Sequence, residues 1–192
     1  MQKNNNEYLR NLQRNIFGER YVDASLSKID IFPEGTLEKA SEWMKNPKNF
    51  LILMGPPGIG KTYFCSAMLE KLPRNIRTVR GYNEKNLLKR IRQSIGETKY
   101  GDYISFLQQM IDDDLIIIDD LGATTPNEWR SEIIFELIDH RYTSRKPTVF
   151  TTNLNKENFN KMYGFRASSR FFSKENIILD LFECEDLRKE GL

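Results

Sequence analysis

The stretch Phe50-Leu51-Ile52-Leu53-Met54-Gly55-Pro56-Pro57-Gly58-Ile59-Gly60-Lys61-Thr62 decides the fold. Its apolar opening reads as a strand buried on both faces, and it runs directly into the pattern G-x-x-x-x-G-K-T. Glycines at these spacings let the backbone wrap a polyphosphate, while the amides at the start of the next helix point at it. Gly55, Pro56, Pro57, Gly58, Ile59, Gly60, Lys61, Thr62 and Tyr63 are therefore the expected nucleotide-binding loop. Lys61 is expected to reach the β and γ phosphates of ATP, and the Thr62 hydroxyl to hold Mg²⁺. The alternative is a chance glycine-rich turn. The complete pattern between an apolar strand and the amphipathic run 63–72 speaks against it.

At 192 residues the chain is about one domain long, with 39% hydrophobic and 29% charged residues, a globular composition. No apolar run approaches the ~20 residues that span a bilayer, so no membrane association is expected. The opening Met1-Gln2-Lys3-Asn4-Asn5-Asn6 has no apolar core of a secretory signal, which makes the cytoplasm the expected compartment. Cys65 and Cys184 are far apart and His140 is the single histidine, so no zinc site can be assembled. Cys65 reads as a small core residue. A net charge of +2 says little, and any nucleic-acid surface must come from local clustering.

Residues 1–32 read as an arm, in which Tyr8, Leu9, Leu12, Ile16 and Phe17 form an amphipathic stripe beside Arg10, Arg14 and Arg20. Such a helix either docks on a partner or packs back on its own chain. Residues 33–192 read as one α/β domain. Helices are expected over 36–46 with Thr36 as N-cap, 84–95, 102–112, and from a Thr125 cap to 142, with a short one capped by Asn155. Strands are expected at 50–54, 76–80, 115–118, 147–151 and 177–181. That alternation predicts a parallel five-stranded sheet with helices on both faces.

Two carboxylates, Asp119 and Asp120, stand at the tip of the apolar run Leu115-Ile116-Ile117-Ile118. Acids there are costly unless something uses them. Asp119 is expected to hold Mg²⁺ through its hydration shell opposite Thr62, and Asp120 to orient or deprotonate the attacking water. The alternative is that both acids only start the turn at Leu121-Gly122. At the end of the next strand, in Thr151-Thr152-Asn153, Asn153 can reach a γ-phosphate or the lytic water, or simply cap a helix. Arg166 and Arg170 lie four apart on one helix face, a spacing that commonly makes surface salt bridges. The run Arg74, Arg77, Arg80, Lys85, Lys89, Arg90 and Arg92, with Tyr82 inside it, is either a groove for single-stranded DNA or a solvated helix face. Tyr82, Lys85, Lys89, Arg90 and Arg92 are the candidate DNA contacts.

Taken in order, G-P-P-G-I-G-K-T, I-I-I-D-D-L-G, E-W-R-S-E-I-I-F-E-L-I-D-H-R-Y, K-P-T-V-F-T-T-N-L and R-A-S-S-R-F resemble the bacterial replicative-helicase loaders of the DnaC/DnaI type. They are similar also to the IstB transposition helpers, and both groups are a branch of the AAA+ ATPases. The resemblance covers the chain from about residue 21 onward. It implies an AAA+ P-loop fold, ATP hydrolysis stimulated by assembly or DNA, and Asn153 as a first sensor. It further implies Arg170 or Arg166 as an arginine finger acting on a neighbouring subunit's ATP, and Arg188 as a nucleotide-contacting second sensor. The partners it implies are a DnaB-like replicative hexameric helicase, single-stranded DNA, and further copies joined through ATP interfaces. The resemblance also tips the basic run toward DNA. Loaders of this type carry an N-terminal helicase-binding domain, where this chain shows a short arm, and the brief C-terminal segment implies a reduced helical lid. The leading expectation is a helicase loader, and the runner-up a transposition helper that recruits a transposase. A P-loop small-molecule kinase and a non-hydrolysing adaptor are further alternatives.

Overall fold

A computed structural model describes residues 2–29, 32–96, 106, 108–125 and 127–184. The chain opens with α1 (Gln2–Phe17), two short 3₁₀ turns and α2 (Thr36–Lys45), then enters the sheet at β1 (Phe50–Met54). There follow α3 (Lys61–Ala67), β2 (Val79–Asn83), α4 (Glu84–Gly96) and β3 (Leu115–Leu121). The order closes with α5 (Glu128–Thr143), β4 (Thr148–Thr152), α6 (Lys156–Phe171) and β5 (Ile177–Asp180). The five strands form one parallel sheet in the order β2-β3-β4-β1-β5. A parallel sheet needs apolar residues on both sides, and β1 and the first half of β3 are buried throughout. Phe50, Ile52, Ile116, Ile118 and Phe150 face α4, α5 and α6, while Leu51, Leu53, Ile117 and Val149 face α2 and α3.

Element boundaries depart from the expected ones where polar side chains intervene. β2 begins at Val79 because the Asp114 carboxylate accepts from the Arg77 and Thr78 amides (2.8 and 3.0 Å), and the Asp114 amide donates to Thr78 Oγ1 (2.8 Å). Gly35, in the left-handed region with φ 76°, takes the N-cap position of α2, so Thr36 is the first helical residue and is buried. The side chain of Asn127, rather than Thr125, caps α5 by accepting from the Arg130 amide at 3.0 Å. Asn155 does cap α6, accepting from Asn158. Of the helix expected over 102–112, residues 106 and 108–112 are described and are helical. Arg188 and the expected lid lie outside the described residues.

The arm is folded onto the rest of the chain. Leu9, Leu12, Ile16 and Phe17 pack on the cluster that contains Phe64, Cys65 and Met68 of α3 and its continuation. Gln13, 1% exposed, donates to the carbonyls of Ala24 (3.3 Å) and Ser66 (3.2 Å) and accepts from the Asp23 amide (3.1 Å). Gly81 of β2 is required here, since a Cβ at that position would lie 2.0 Å from Ile16 Cγ2. Of the expected stripe only Tyr8 stays exposed, at 58%. The apolar side of α1 therefore has its cover within the chain, the second of the two alternatives that the sequence leaves open.

All five strands run the same way, so their C-terminal ends share one edge of the sheet. β4 sits between β1 and β3, which brings the segment after Thr152 between the glycine loop and the acid pair.

Candidate nucleotide-binding site

The glycine loop leaves the sheet at Gly55, whose amide donates to the Thr152 carbonyl at 3.1 Å. Gly58 and Gly60 take φ values of 89° and 85°, a conformation that side-chain-bearing residues resist, and Gly60 then starts α3. Ile59 between them is fully buried and anchors the loop to the core. Lys61, 7% exposed, rests its ammonium on the carbonyls of Gly55 (2.7 Å) and Pro56 (2.7 Å) and on Asn153 Oδ1 (2.8 Å). Those are the oxygen acceptors that phosphate oxygens can replace.

Asp119 and Asp120 follow each other on a strand, and consecutive strand side chains ordinarily point to opposite faces. A bulge resolves this. β3 pairs Ile118 with Phe150 and then Leu121 with Thr152, so one extra residue is inserted on β3, and Asp120 adopts a left-handed φ of 58°. The Asp119 carboxylate accepts from Thr62 Oγ1 (3.0 and 3.2 Å) and from Thr151 Oγ1 (2.6 Å). Thr151 Oγ1 in turn accepts from the Asp120 amide at 2.8 Å, and Asn153 Nδ2 lies 3.4 Å from Asp120 Oδ1. Asp120 itself is exposed at the mouth of the site.

Burial pushes the Asp119 carboxyl above its ordinary range, an effect that the hydroxyls of Thr151 and Thr62 oppose. A carboxylate in this state is under-compensated. A hard divalent cation beside it, with the Thr62 hydroxyl as a second oxygen ligand, fits the donor set. Burial likewise pushes the Cys65 thiol well up, in keeping with a core residue.

The structure thus brings Lys61, Thr62, Asp119, Asp120 and Asn153 together. Tyr63 faces the N-terminal segment, where its hydroxyl accepts from the Ser25 amide at 3.2 Å. Arg166 and Arg170 are not in this cluster. Arg166 lies over the Phe135 ring of α5 (4.4 Å to the centroid), and Arg170 pairs with Asp139 of the same helix. On α4, Lys85, Lys89, Arg90 and Arg92 are exposed. Tyr82 does not serve as a stacking platform: it is 7% exposed, packs edge-on against Phe106, and carries the Arg90 guanidinium 5.4 Å above its ring. It lies on β2 with its ring in the core, so the basic run crosses a strand before it reaches the surface helix. Thr151, the clasp between Asp119 and the Asp120 amide, has no expected role from the sequence; its signal there is two threonines at the tip of a strand next to an acid pair.

A glycine loop after β1, an acid pair at the tip of β3 and an amide side chain beyond β4, the strand between them, place the chain among the P-loop nucleotide-binding proteins. Within that class it belongs to the IstB-like ATP binding protein family, which matches residues 36–169. The ATP-binding protein of insertion sequence IS1162 from Pseudomonas fluorescens is 30% identical over 142 residues, 70% of this chain and 59% of that protein. The replicative helicase loader DnaC of Escherichia coli strain K12 is 26% identical over 119 residues, 62% of this chain and 48% of the loader. This chain thus spans about half the length of these curated relatives. A crystal structure of the DnaC helicase loader has the same fold, with a TM-score of 0.71 at 24% identity, covering 84% of this chain and 98% of that one. Among the described residues no helix is long and apolar enough to cross a membrane.

Proposed function

We propose that this protein is an ATP-dependent loader of a replicative, DnaB-like hexameric helicase, holding ATP with Mg²⁺ and single-stranded DNA in DNA replication. One observation carries this reading. β2, whose last residue Asn83 stands opposite Asp119, leads directly into α4, whose exposed face carries Lys85, Lys89, Arg90 and Arg92, so a cationic surface begins near the acid tip. The likeness to a helicase loader supports the choice of partner.

In this reading residues 33–192 are the ATPase unit and the arm 1–32 is folded on it. Lys61 binds the β and γ phosphates, exchanging its contacts with Gly55, Pro56 and Asn153 for phosphate oxygens. Thr62 and Asp119 would hold Mg²⁺, which supplies charge neutralisation on the phosphates. Asp120 receives or directs the proton of the attacking water, and Asn153, already shared between Lys61 and Asp120, senses the γ-phosphate. Arg170, or Arg166 beside it, acts on the nucleotide of an adjoining copy, and Arg188 contacts nucleotide from the C-terminal segment. Lys85, Lys89, Arg90 and Arg92 track the DNA backbone through charge. A helicase loader of this kind works in the cytoplasm.

The insertion-sequence relative favours a second reading, a transposition helper that uses the same ATPase to bind DNA and recruit a transposase. Capture experiments against the hexameric helicase and against a transposase separate the two. Turnover measured with and without single-stranded DNA tests both: no ATP hydrolysis under either condition would leave only a nucleotide-locked adaptor.

A further inference from the structure

Glu84 is the first residue of α4 and is 1% exposed, a buried carboxylate outside the cluster described above. Burying an ionised carboxylate costs several kcal/mol unless hydrogen bonds compensate it, and an apolar residue of similar volume is often at least as stable. Capping α4 does not account for it, since the Asn83 side chain already accepts from the Asn86 amide at 2.8 Å. Glu84 spends its oxygens on two distant segments instead. Oε2 accepts from the Gly122 amide (3.1 Å) and from Thr124 Oγ1 (2.8 Å), and Oε1 accepts from the Tyr163 hydroxyl (2.8 Å).

Both segments lead to groups with roles in the proposed chemistry. Gly122 and Thr124 belong to the turn that follows the Asp119–Asp120 bulge. Tyr163 is the last residue before Gly164, whose φ of 81° and ψ of 166° break α6, and the half beyond the break carries Arg166 and Arg170. Burial and the neighbouring Glu84 push the Tyr163 phenol far up, in keeping with its hydroxyl as the donor to Glu84.

We propose that Glu84 is a positioning residue for ATP hydrolysis: it fixes the turn that carries Asp120 and, through Tyr163, the break from which the arginine-bearing half of α6 departs. The proposal rests on the ATPase reading above and adds a residue to it. Glu84 touches neither nucleotide nor water in this scheme and acts only through the segments it holds.

The test uses the full-length protein with Glu84→Ala, Glu84→Gln and Tyr163→Phe, each assayed well below its melting temperature. Glutamine keeps an acceptor oxygen for Gly122 and Thr124 and turns its amide toward the Tyr163 oxygen, so it restores the geometry without the charge. For Glu84→Ala, kcat is expected to fall roughly 10- to 100-fold while affinity for a non-hydrolysable ATP analogue stays within about threefold, the split expected when only the transition state is affected. Glu84→Gln should recover most of the rate. Amide hydrogen exchange gives a readout independent of turnover: Glu84→Ala is expected to speed exchange at both 119–124 and 164–170, and Tyr163→Phe at 164–170 alone. Wild-type turnover by Glu84→Ala, glutamine no better than alanine, loss of nucleotide affinity in step with kcat, or faster exchange confined to α4 would each overturn the proposal. If the wild-type protein does not hydrolyse ATP, the ATPase reading falls, and the exchange pattern alone decides whether Glu84 couples the two segments.

Discussion

The phosphate-loop cluster and the arginine-bearing surfaces treat their charges in opposite ways. Around Lys61 and Asp119 each polar side chain is held by another member of the same cluster: Asn153 bridges Lys61 and Asp120, and Thr151 bridges Asp119 and the Asp120 amide. On α4 and α6, guanidiniums lie on aromatic faces instead, and Arg170 is paired with Asp139 as well. Arg90 covers Tyr82 at 5.4 Å, Arg92 covers Trp129 at 5.1 Å and Arg166 covers Phe135 at 4.4 Å. A surface cation–π contact is worth about 0.5–1 kcal/mol, whereas each hydrogen bond to a buried charge is worth about 1.5–3 kcal/mol. The first region is built to hold its geometry within one chain. The second keeps its cations orderly at little cost, and under the proposed function it would turn them to phosphates that arrive from outside, on DNA or on an adjoining copy's nucleotide.

The comparison breaks first at Asp120. Asp120→Asn keeps the bulge, because asparagine tolerates the left-handed φ of 58°, but it removes the proposed proton acceptor. Turnover is expected to fall by about 10²- to 10⁴-fold with nucleotide affinity preserved. Steady-state hydrolysis together with analogue binding checks it, and a wild-type rate would remove Asp120 from the chemistry. Lys61→Ala should act on binding itself, weakening ATP by roughly 100-fold or more, since at least two charged hydrogen bonds to the phosphates disappear. Titration with a fluorescent nucleotide reads this directly.

The smallest effect belongs to the outward-facing cations. Replacing Lys89, Arg90 and Arg92 by Ala should leave ATP affinity unchanged and flatten the dependence of DNA affinity on salt. The log–log slope should shrink by about 0.7 for each phosphate of a single strand that no longer meets a cation. Tyr82 offers no base-stacking face, so sequence preference should stay weak. A triple variant with unaltered DNA affinity and slope would make α4 an ordinary solvated helix.

Much of this is legible in the sequence, and the reason is locality. A strand, a glycine loop and a helix start within one short stretch determine where Lys61 and Thr62 stand, and an acid pair at the tip of an apolar run can only end up on the same edge of a parallel sheet. What the sequence hides depends on distant partners. The late start of β2 follows from Asp114, which is far along the chain. The period of α1 shows that one face has to be covered, but not that Phe64 and its neighbours cover it. Tyr82 reads as a surface aromatic because cations surround it in sequence, whereas strand alternation turns its ring into the core. The bulge at Asp120 has no local signature in Asp119-Asp120-Leu121-Gly122 beyond the glycine that ends it.

The central claim is that the phosphate site is complete for binding within one chain and is completed for catalysis by an arginine from another. Mixing Arg170→Ala subunits with Lys61→Ala subunits tests it, with Arg166→Ala in place of Arg170→Ala as the parallel series. Neither variant alone should show assembly-stimulated turnover, because one lacks the arginine and the other cannot hold ATP, and an arginine supplied in trans can be worth about 10³-fold or more. In mixtures, Lys61→Ala subunits lend an intact Arg170 to ATP held by Arg170→Ala subunits, so turnover should rise and pass through a maximum at intermediate ratios. A flat response at every ratio in both series would contradict the account.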